Sequence, residues 1–217
     1  MIKGVVFDLD GTLVDSVGIW CEMWSKVLKN VGINVNPESI KPFIGTDLKS
    51  ILKNLGYQHA DIEKIMAERE KISKSYAEKV KAFPEAKQVL QLIRSKGLKI
   101  AIASTSRIEW IDYISKKEGF AELIDAYASG EEVSMQKPNP EIFELAFKKL
   151  NIIPKEGVVV GDRETDTIPA LSIGAFSILV DRESYYKEPR ADLFIKSLEE
   201  VPKIIDELNS RRGMVQF

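Results

Sequence analysis

The apolar positions of the chain follow two different periods. Val5, Val6 and Phe7 form a short β-favouring run that stops at Asp8, and Asp10-Gly11-Thr12 break it. Residues 5–7 therefore read as a buried first strand. From Ser16 the period turns helical, with Trp20, Trp24, Val27, Leu28 and Val31 at i, i+4, i+7, i+8 and i+11, and Gly32 placed to stop the helix. Pro37, Pro42 and Gly45 punctuate a short helical link. Residues 48–55 predict another helix ended by Gly56. A long charged helix follows, with Ile62, Ile65, Met66, Ile72, Tyr76 and Val80 on its apolar side. Nothing from residue 16 to residue 81 reads as strand, so this stretch is an all-helical block.

After Phe83-Pro84 the two periods alternate. The expected series is helix 85–96, strand 98–103, helix 108–117, strand 124–128, helix 140–150, strand 158–161, helix 166–173, strand 176–180 and a closing helix at 198–210. Such alternation predicts parallel βαβ units and a doubly wound sheet of the α/β class. The expected domains are an α/β core at 1–16 plus 82–217 and a helical insertion at 17–81. A length of 217 residues suits this, since about 150 residues per domain leaves a fraction beyond one. Pro169 is expected in the first turn of its helix, where its missing N–H costs nothing. The tail from Arg211 to Phe217 carries no readable signal.

Composition narrows the partners. The 31 Lys and Arg balance 33 Asp and Glu, so no basic excess points to nucleic acid or to an acidic membrane surface. Cys21 stands alone, which excludes an internal disulfide and a cysteine metal cluster. The first residues reach Asp8 too early for a signal peptide, and apolar stretches such as 173–180 are under half a membrane span. A soluble, cytoplasmic protein is expected, of unspecified oligomeric state.

The polar residues of interest stand at strand ends, where ligands bind open parallel sheets. Four such ends are Asp8-Leu9-Asp10-Gly11-Thr12, Ser104-Thr105-Ser106, the Lys137-Pro138 loop and Gly161-Asp162-Arg163-Glu164-Thr165-Asp166. Asp8, Asp10, Asp162 and Asp166 in one crevice would repel one another without a cation. Oxygen ligands alone select a hard cation, and Mg2+ commonly takes carboxylates together with substrate phosphate. Each aspartate taken singly also reads as an ordinary strand-end residue. Ser104 fits either a phosphoryl contact, helped by nearby backbone N–H groups, or a simple helix N-cap. Lys137 sits in a loop stiffened by Pro138 and Pro140, where a fixed ammonium would offset charge at a reacting centre. Taken alone it reads as a surface lysine.

Together these residues resemble the haloacid dehalogenase superfamily. Its four motifs occur in order at Asp8-Leu9-Asp10-Gly11-Thr12-Leu13-Val14, Ser104, Lys137-Pro138 and Gly161 to Asp166. The resemblance covers nearly the whole chain and likens the helical insertion to the family's cap, as in phosphoglycolate-phosphatase-like and β-phosphoglucomutase-like members. It implies a Rossmann-like core and a phosphatase acting on a small phosphomonoester. Asp8 would be the nucleophile that forms an aspartyl-phosphate, and Asp10 the general acid/base. Mg2+ would be held by Asp8, the Asp10 carbonyl and Asp162, with Asp166 in support. Ser104, Thr105, Gly11, Thr12 and Lys137 would bind the phosphoryl group. The acid at Asp10 favours phosphoryl transfer over dehalogenation, since a halide leaves without a proton. Arg163 departs from the pattern at a place that is often small.

The same resemblance places Gly45, Thr46 and Lys49 in the loop that selects substrate. Trp20 and Trp24 read as helical core, His59 as a surface residue and Cys21 as a small buried group. Mutases of this type carry a histidine in the first cap helix and an arginine in the specificity loop. Here Trp20 and Lys49 stand nearby, so hydrolysis is preferred to a β-phosphoglucomutase-like activity. A non-catalytic phosphate- or Mg2+-sensing protein on this scaffold is the third reading.

Overall fold

The computed structural model describes residues 1–188 and 190–213, so the last four positions of the tail lie outside the described residues. The chain divides into two compact units, Met1–Leu13 with Ala82–Phe217, and Val14–Lys81. It opens with β1 (Gly4–Phe7), followed by β2 (Val14–Asp15), α1 (Val17–Asn30), α2 (Pro37–Ile40), α3 (Leu48–Asn54), α4 (Ile62–Ala77) and β3 (Lys81–Ala82). Then come α5 (Ala86–Ser95), β4 (Lys99–Ser104), α6 (Ile108–Lys117), β5 (Ala126–Ser129), α7 (Glu141–Leu150), β6 (Gly157–Gly161), α8 (Glu164–Ser172), β7 (Phe176–Val180), β8 (Leu193–Ile195) and α9 (Val201–Gly213). No helix among the described residues is long and apolar enough to cross a membrane.

The helical unit is built around α1, whose Cys21, Met23, Val27 and Leu28 are buried with Ile40, Ile44, Ile51, Leu52 and Ile65. Trp20 and Trp24 pack at the edge of that cluster, as their spacing predicts. Aspartates start two of its helices. The Asp47 carboxylate accepts the Ser50 N–H at 3.0 Å, and Asp61 accepts the Lys64 N–H at 3.0 Å. Met66 departs from the expected apolar side and is exposed, as is His59.

The other unit is a parallel sheet in the order β5-β4-β1-β6-β7-β8. Val6 lies in register with Ala101 and Val159, and Ala103 with Ala128. All five share one cluster with Ile142, Phe143, Ala146 and Phe147 of α7. The period of two then turns Val5, Phe7, Ile100, Ile102, Val158 and Val160 to the opposite face, and these are buried as well. Burial on both faces explains the unbroken apolar runs of β1, β4 and β6.

Three features depart from the sequence pattern. Val14–Asp15 and Lys81–Ala82 pair as a two-residue ribbon, too short to carry a period. The edge strand β8 is a three-residue pairing among charged neighbours. Helix α8 begins at Glu164, so Pro169 falls inside it and beyond the first turn, where it cannot donate to the Thr165 carbonyl.

Candidate active site

Strand β1 lies at the centre of the sheet, with β4 on one side and β6 on the other. The connections run outward in opposite directions from it, which opens a crevice at the carboxyl ends of these strands. Asp8 enters that crevice directly from β1. Its N–H bonds the Val160 carbonyl at 2.8 Å, so the backbone is still held to β6 when the side chain turns out of the sheet.

Lys137 meets it there. The Lys137 ammonium donates to Asp8 Oδ1 at 2.7 Å, to Asp166 Oδ1 at 2.7 Å and to the Ala103 carbonyl at 3.0 Å, which uses all three of its N–H bonds. It also stands 4.9 Å from the centre of the Phe143 ring. The loop that delivers it is tied at both ends. Gln136 Nε2 donates to the Gly130 carbonyl at 2.7 Å, and the Glu141 carboxylate accepts the N–H groups of Ser134 and Met135 at 3.0 and 2.9 Å. The Lys137-Pro138 peptide is cis. Lys137 is thus buried and held by three bonds.

The fourth strand end supplies two more carboxylates. Asp162 follows β6, and Asp166 lies in the first turn of α8, where its Oδ2 accepts the Arg163 N–H at 3.3 Å. Gly161 makes room for it, since a Cβ at 161 would fall 2.4 Å from the Asp166 Cβ. Carboxylate oxygens of Asp8, Asp162 and Asp166 lie within 4.8 Å of one another. Three carboxylates face one ammonium, with the Arg163 guanidinium 3.6 Å from Asp162. The buried cluster is therefore deficient in positive charge. Burial pushes the Asp8 carboxyl well above the usual range, with Asp166 and Asp162 pushing the same way and Lys137 pulling against them. Burial and the Asp166 charge likewise raise Asp162 to about 7. Burial opposes the Lys137 ammonium, but Asp166 and Asp8 more than offset it, so its net shift is upward.

Asp10 is not among those three. Its Oδ2 accepts the Ser106 hydroxyl at 3.0 Å. Ser106 is the residue the sequence reading did not single out, although it belongs to the strand end that the reading marked. It is built in by neighbours: its N–H donates to Ser104 Oγ at 3.1 Å, and its carbonyl accepts the Ser129 hydroxyl at 2.8 Å. Ser104 is buried and caps no helix, because α6 starts later with Arg107 at its N-cap. Its oxygen instead closes the turn after β4, and its hydroxyl proton is left to donate. Thr105 is half-buried beside it. Gly11 takes a φ of 90°, the left-handed conformation that glycine adopts without strain, and Thr12 behind it is fully buried. The remaining two candidates belong to the helical unit. Thr46 is half-buried, its hydroxyl donating to the Phe43 carbonyl at 2.7 Å, and Lys49 is exposed on the first turn of α3.

Known proteins resemble this chain in sequence and fold. A family profile described as haloacid dehalogenase-like hydrolase matches residues 5–180. Hexitol phosphatase A of Escherichia coli is 30% identical over 205 residues, covering 92% of this chain and 93% of its own. Pyrophosphatase PpaX of Oceanobacillus iheyensis is 23% identical over 210 residues, covering 95% and 98%. Among solved structures, β-phosphoglucomutase from Clostridium difficile superposes with a TM-score of 0.83 at 22% identity and complete coverage of both chains, a likeness of fold.

Proposed function

Because the chain belongs to the haloacid dehalogenase-like hydrolase family and is a hydrolase of phosphatase type, we propose that it cleaves a small-molecule phosphomonoester through a phosphorylated Asp8. The observation that carries this reading is the buried Asp8–Lys137–Asp166 ion pair at the end of the central strand, with Asp162 alongside. A carboxylate so placed is a nucleophile held against one face of an incoming phosphorus.

The donor set fits a divalent metal. Its ligands are oxygens only, they converge, and their charge exceeds what Lys137 neutralises, which is what Mg2+ requires. Asp8 and Asp162 would hold the ion, with the Asp10 carbonyl and Asp166 in support. When bound, Mg2+ offsets the negative charge of the carboxylates and the phosphoryl oxygens. The size of the problem is clear from Coulomb's law. A carboxylate about 4 Å from a phosphate dianion is repelled by roughly 8 kcal/mol at an effective dielectric near 20. The fixed Lys137 ammonium removes part of that.

The chain's own residues divide the remaining work. An Asp8 oxygen forms a bond to phosphorus as the bond from phosphorus to the leaving oxygen breaks. Asp10, held by Ser106, gives that oxygen its proton. Asp10 then takes a proton from water, the water oxygen attacks phosphorus, and the bond to Asp8 breaks to release phosphate and restore the carboxylate. The Ser104 hydroxyl and the Lys137 ammonium hold phosphoryl oxygens during both displacements.

The test is an Asp8→Asn variant assayed with wild type on a panel of small phosphomonoesters and inorganic pyrophosphate, with and without Mg2+. Wild-type rates in the variant would overturn the reading. Turnover of pyrophosphate alone would replace the phosphomonoester with a diphosphate. Sugar-phosphate interconversion that needs a bisphosphate activator would replace hydrolysis with the mutase reaction.

A further inference from the structure

Asp10 is one residue from Gly11, and the turn they form has an anchor far away in sequence. In that turn the Thr12 and Leu13 N–H groups both bond the Leu9 carbonyl, at 3.3 and 3.0 Å. The Gly11 and Thr12 carbonyls face elsewhere. They accept from Arg182, whose two terminal nitrogens reach them at 3.1 and 3.2 Å. Arg182 lies just beyond β7. Its guanidinium also bonds Glu85 Oε1 at 3.0 Å and lies 3.7 Å from the centre of the Phe83 ring. One planar cation therefore binds two consecutive carbonyls, a carboxylate and an aromatic face, the combination that a guanidinium can satisfy and an ammonium cannot.

We propose that Arg182 is a positioning residue for Asp10: it clamps the Gly11–Thr12 backbone so that the Asp10 carboxyl stays aimed at the leaving oxygen. Gly11 in the left-handed region makes the turn easy to form and equally easy to deform, since glycine pays little to change φ. Ser106 restrains the Asp10 side chain alone. Arg182 restrains the backbone beneath it, and Phe83 and Glu85 restrain Arg182. The role is specific to proton donation. Asp8 keeps its place through β1, β6 and Lys137, whereas Arg182 bonds the turn that follows it.

The inference rests on the acid/base role given to Asp10 above, and leaving-group dependence separates the two. Nitrophenyl phosphate releases a stable anion and needs little protonation, whereas an alkyl phosphate needs a proton on its leaving oxygen. Arg182→Met should lower kcat for an alkyl phosphate at least tenfold more than for nitrophenyl phosphate, with KM within about twofold for each. Arg182→Lys, which keeps the charge and can bond one carbonyl, should fall between Met and wild type. It carries the same comparison if the methionine variant does not fold. Equal losses on both substrates, or losses that follow only the melting temperature, would overturn the proposal. An Asp10→Asn control reads the premise. If it loses no more activity on the alkyl ester than on nitrophenyl phosphate, the role of Asp10 is wrong. If it shows the bias and the Arg182 variants do not, the clamp alone is wrong.

Discussion

Asp166 packs over Gly161 so closely that a β-carbon added at 161 would overlap the Asp166 side chain, its nearest three atoms lying between 2.4 and 2.5 Å away. The glycine is thus a requirement of the acidic cluster rather than of the strand. Gly161→Ala should displace the Asp166 carboxylate from Lys137 and lower Mg2+ affinity about 10–100-fold, as loss of a supporting partner does at metal sites. Stability should fall by about 1–3 kcal/mol from the overlap. Calorimetric Mg2+ titration together with thermal melts would measure both, and unchanged affinity would count against the assignment of Asp166.

Lys137 is the only cation bonded to both Asp8 and Asp166 in the described structure. Lys137→Met leaves buried carboxylates uncompensated, a loss of about 3–5 kcal/mol, or roughly 6–20 °C in melting temperature for a chain of this size. The deficit should shrink at acid pH. Without the ammonium, Asp8 moves further up, the folded state holds more protons than the unfolded one, and stability falls more steeply as pH rises. A deficit that was the same at pH 5 and pH 8 would contradict this.

Asp162 predicts a second pH effect in the metal-free protein. Burial and Asp166 raise its carboxyl from the ordinary 3.8 to about 7. Between those values the folded state carries the extra proton, so unfolding free energy decreases as pH climbs through the window. Asp162→Asn should flatten that slope. Because a bound cation favours the ionised carboxylate, Mg2+ should raise the melting temperature more at pH 8 than at pH 5. Melts across pH with a chelator and with Mg2+ would show it.

Ser106→Ala removes the hydroxyl that bonds Asp10 at 3.0 Å. A side-chain hydrogen bond contributes about 0.5–1.5 kcal/mol, so kcat should drop about twofold to tenfold. KM should change little, since the phosphoryl contacts proposed for Ser104 and Lys137 do not involve the Ser106 hydroxyl. Steady-state kinetics on one phosphomonoester would decide it, and a rise in KM at constant kcat would assign Ser106 to substrate binding instead.

Much of the fold is legible in the sequence. The strands that carry the site are apolar on both faces, so β1, β4 and β6 announced themselves as unbroken runs, and the polar residue that ended each run was already a candidate. Lys137 could be picked out because two prolines stiffen its loop. What the sequence could not show is which partner each group would find. The Lys137–Asp166 pair joins a loop to the first turn of a helix with no local relation, and Arg182 reaches Gly11 from beyond β7. In the sequence Ser104 reads equally as a cap or a phosphate contact, and the start of α6 at Ile108 removes only the cap. Pro169 was misplaced because Asp166 looked like a helix start, whereas it occupies the first turn of a helix begun at Glu164.

The central position of β1 has a consequence for how the protein is made. Gly4 pairs with Lys99 on one side and with Gly157 on the other. On the ribosome this strand is made about 150 residues before β6 and has no partner on that side in the meantime. At about 5–20 residues per second that wait is on the order of ten to thirty seconds. During it, an apolar strand destined for the sheet centre must be sheltered by other means. Asp8, which ends it and is the proposed nucleophile, cannot meet Asp162 or Asp166 before those residues exist, so on that proposal the site is completed late, with the sixth strand in sequence order. Pulse-labelled nascent chains arrested before residue 157 should accordingly bind chaperones through their first strand, while chains extended past residue 180 should not.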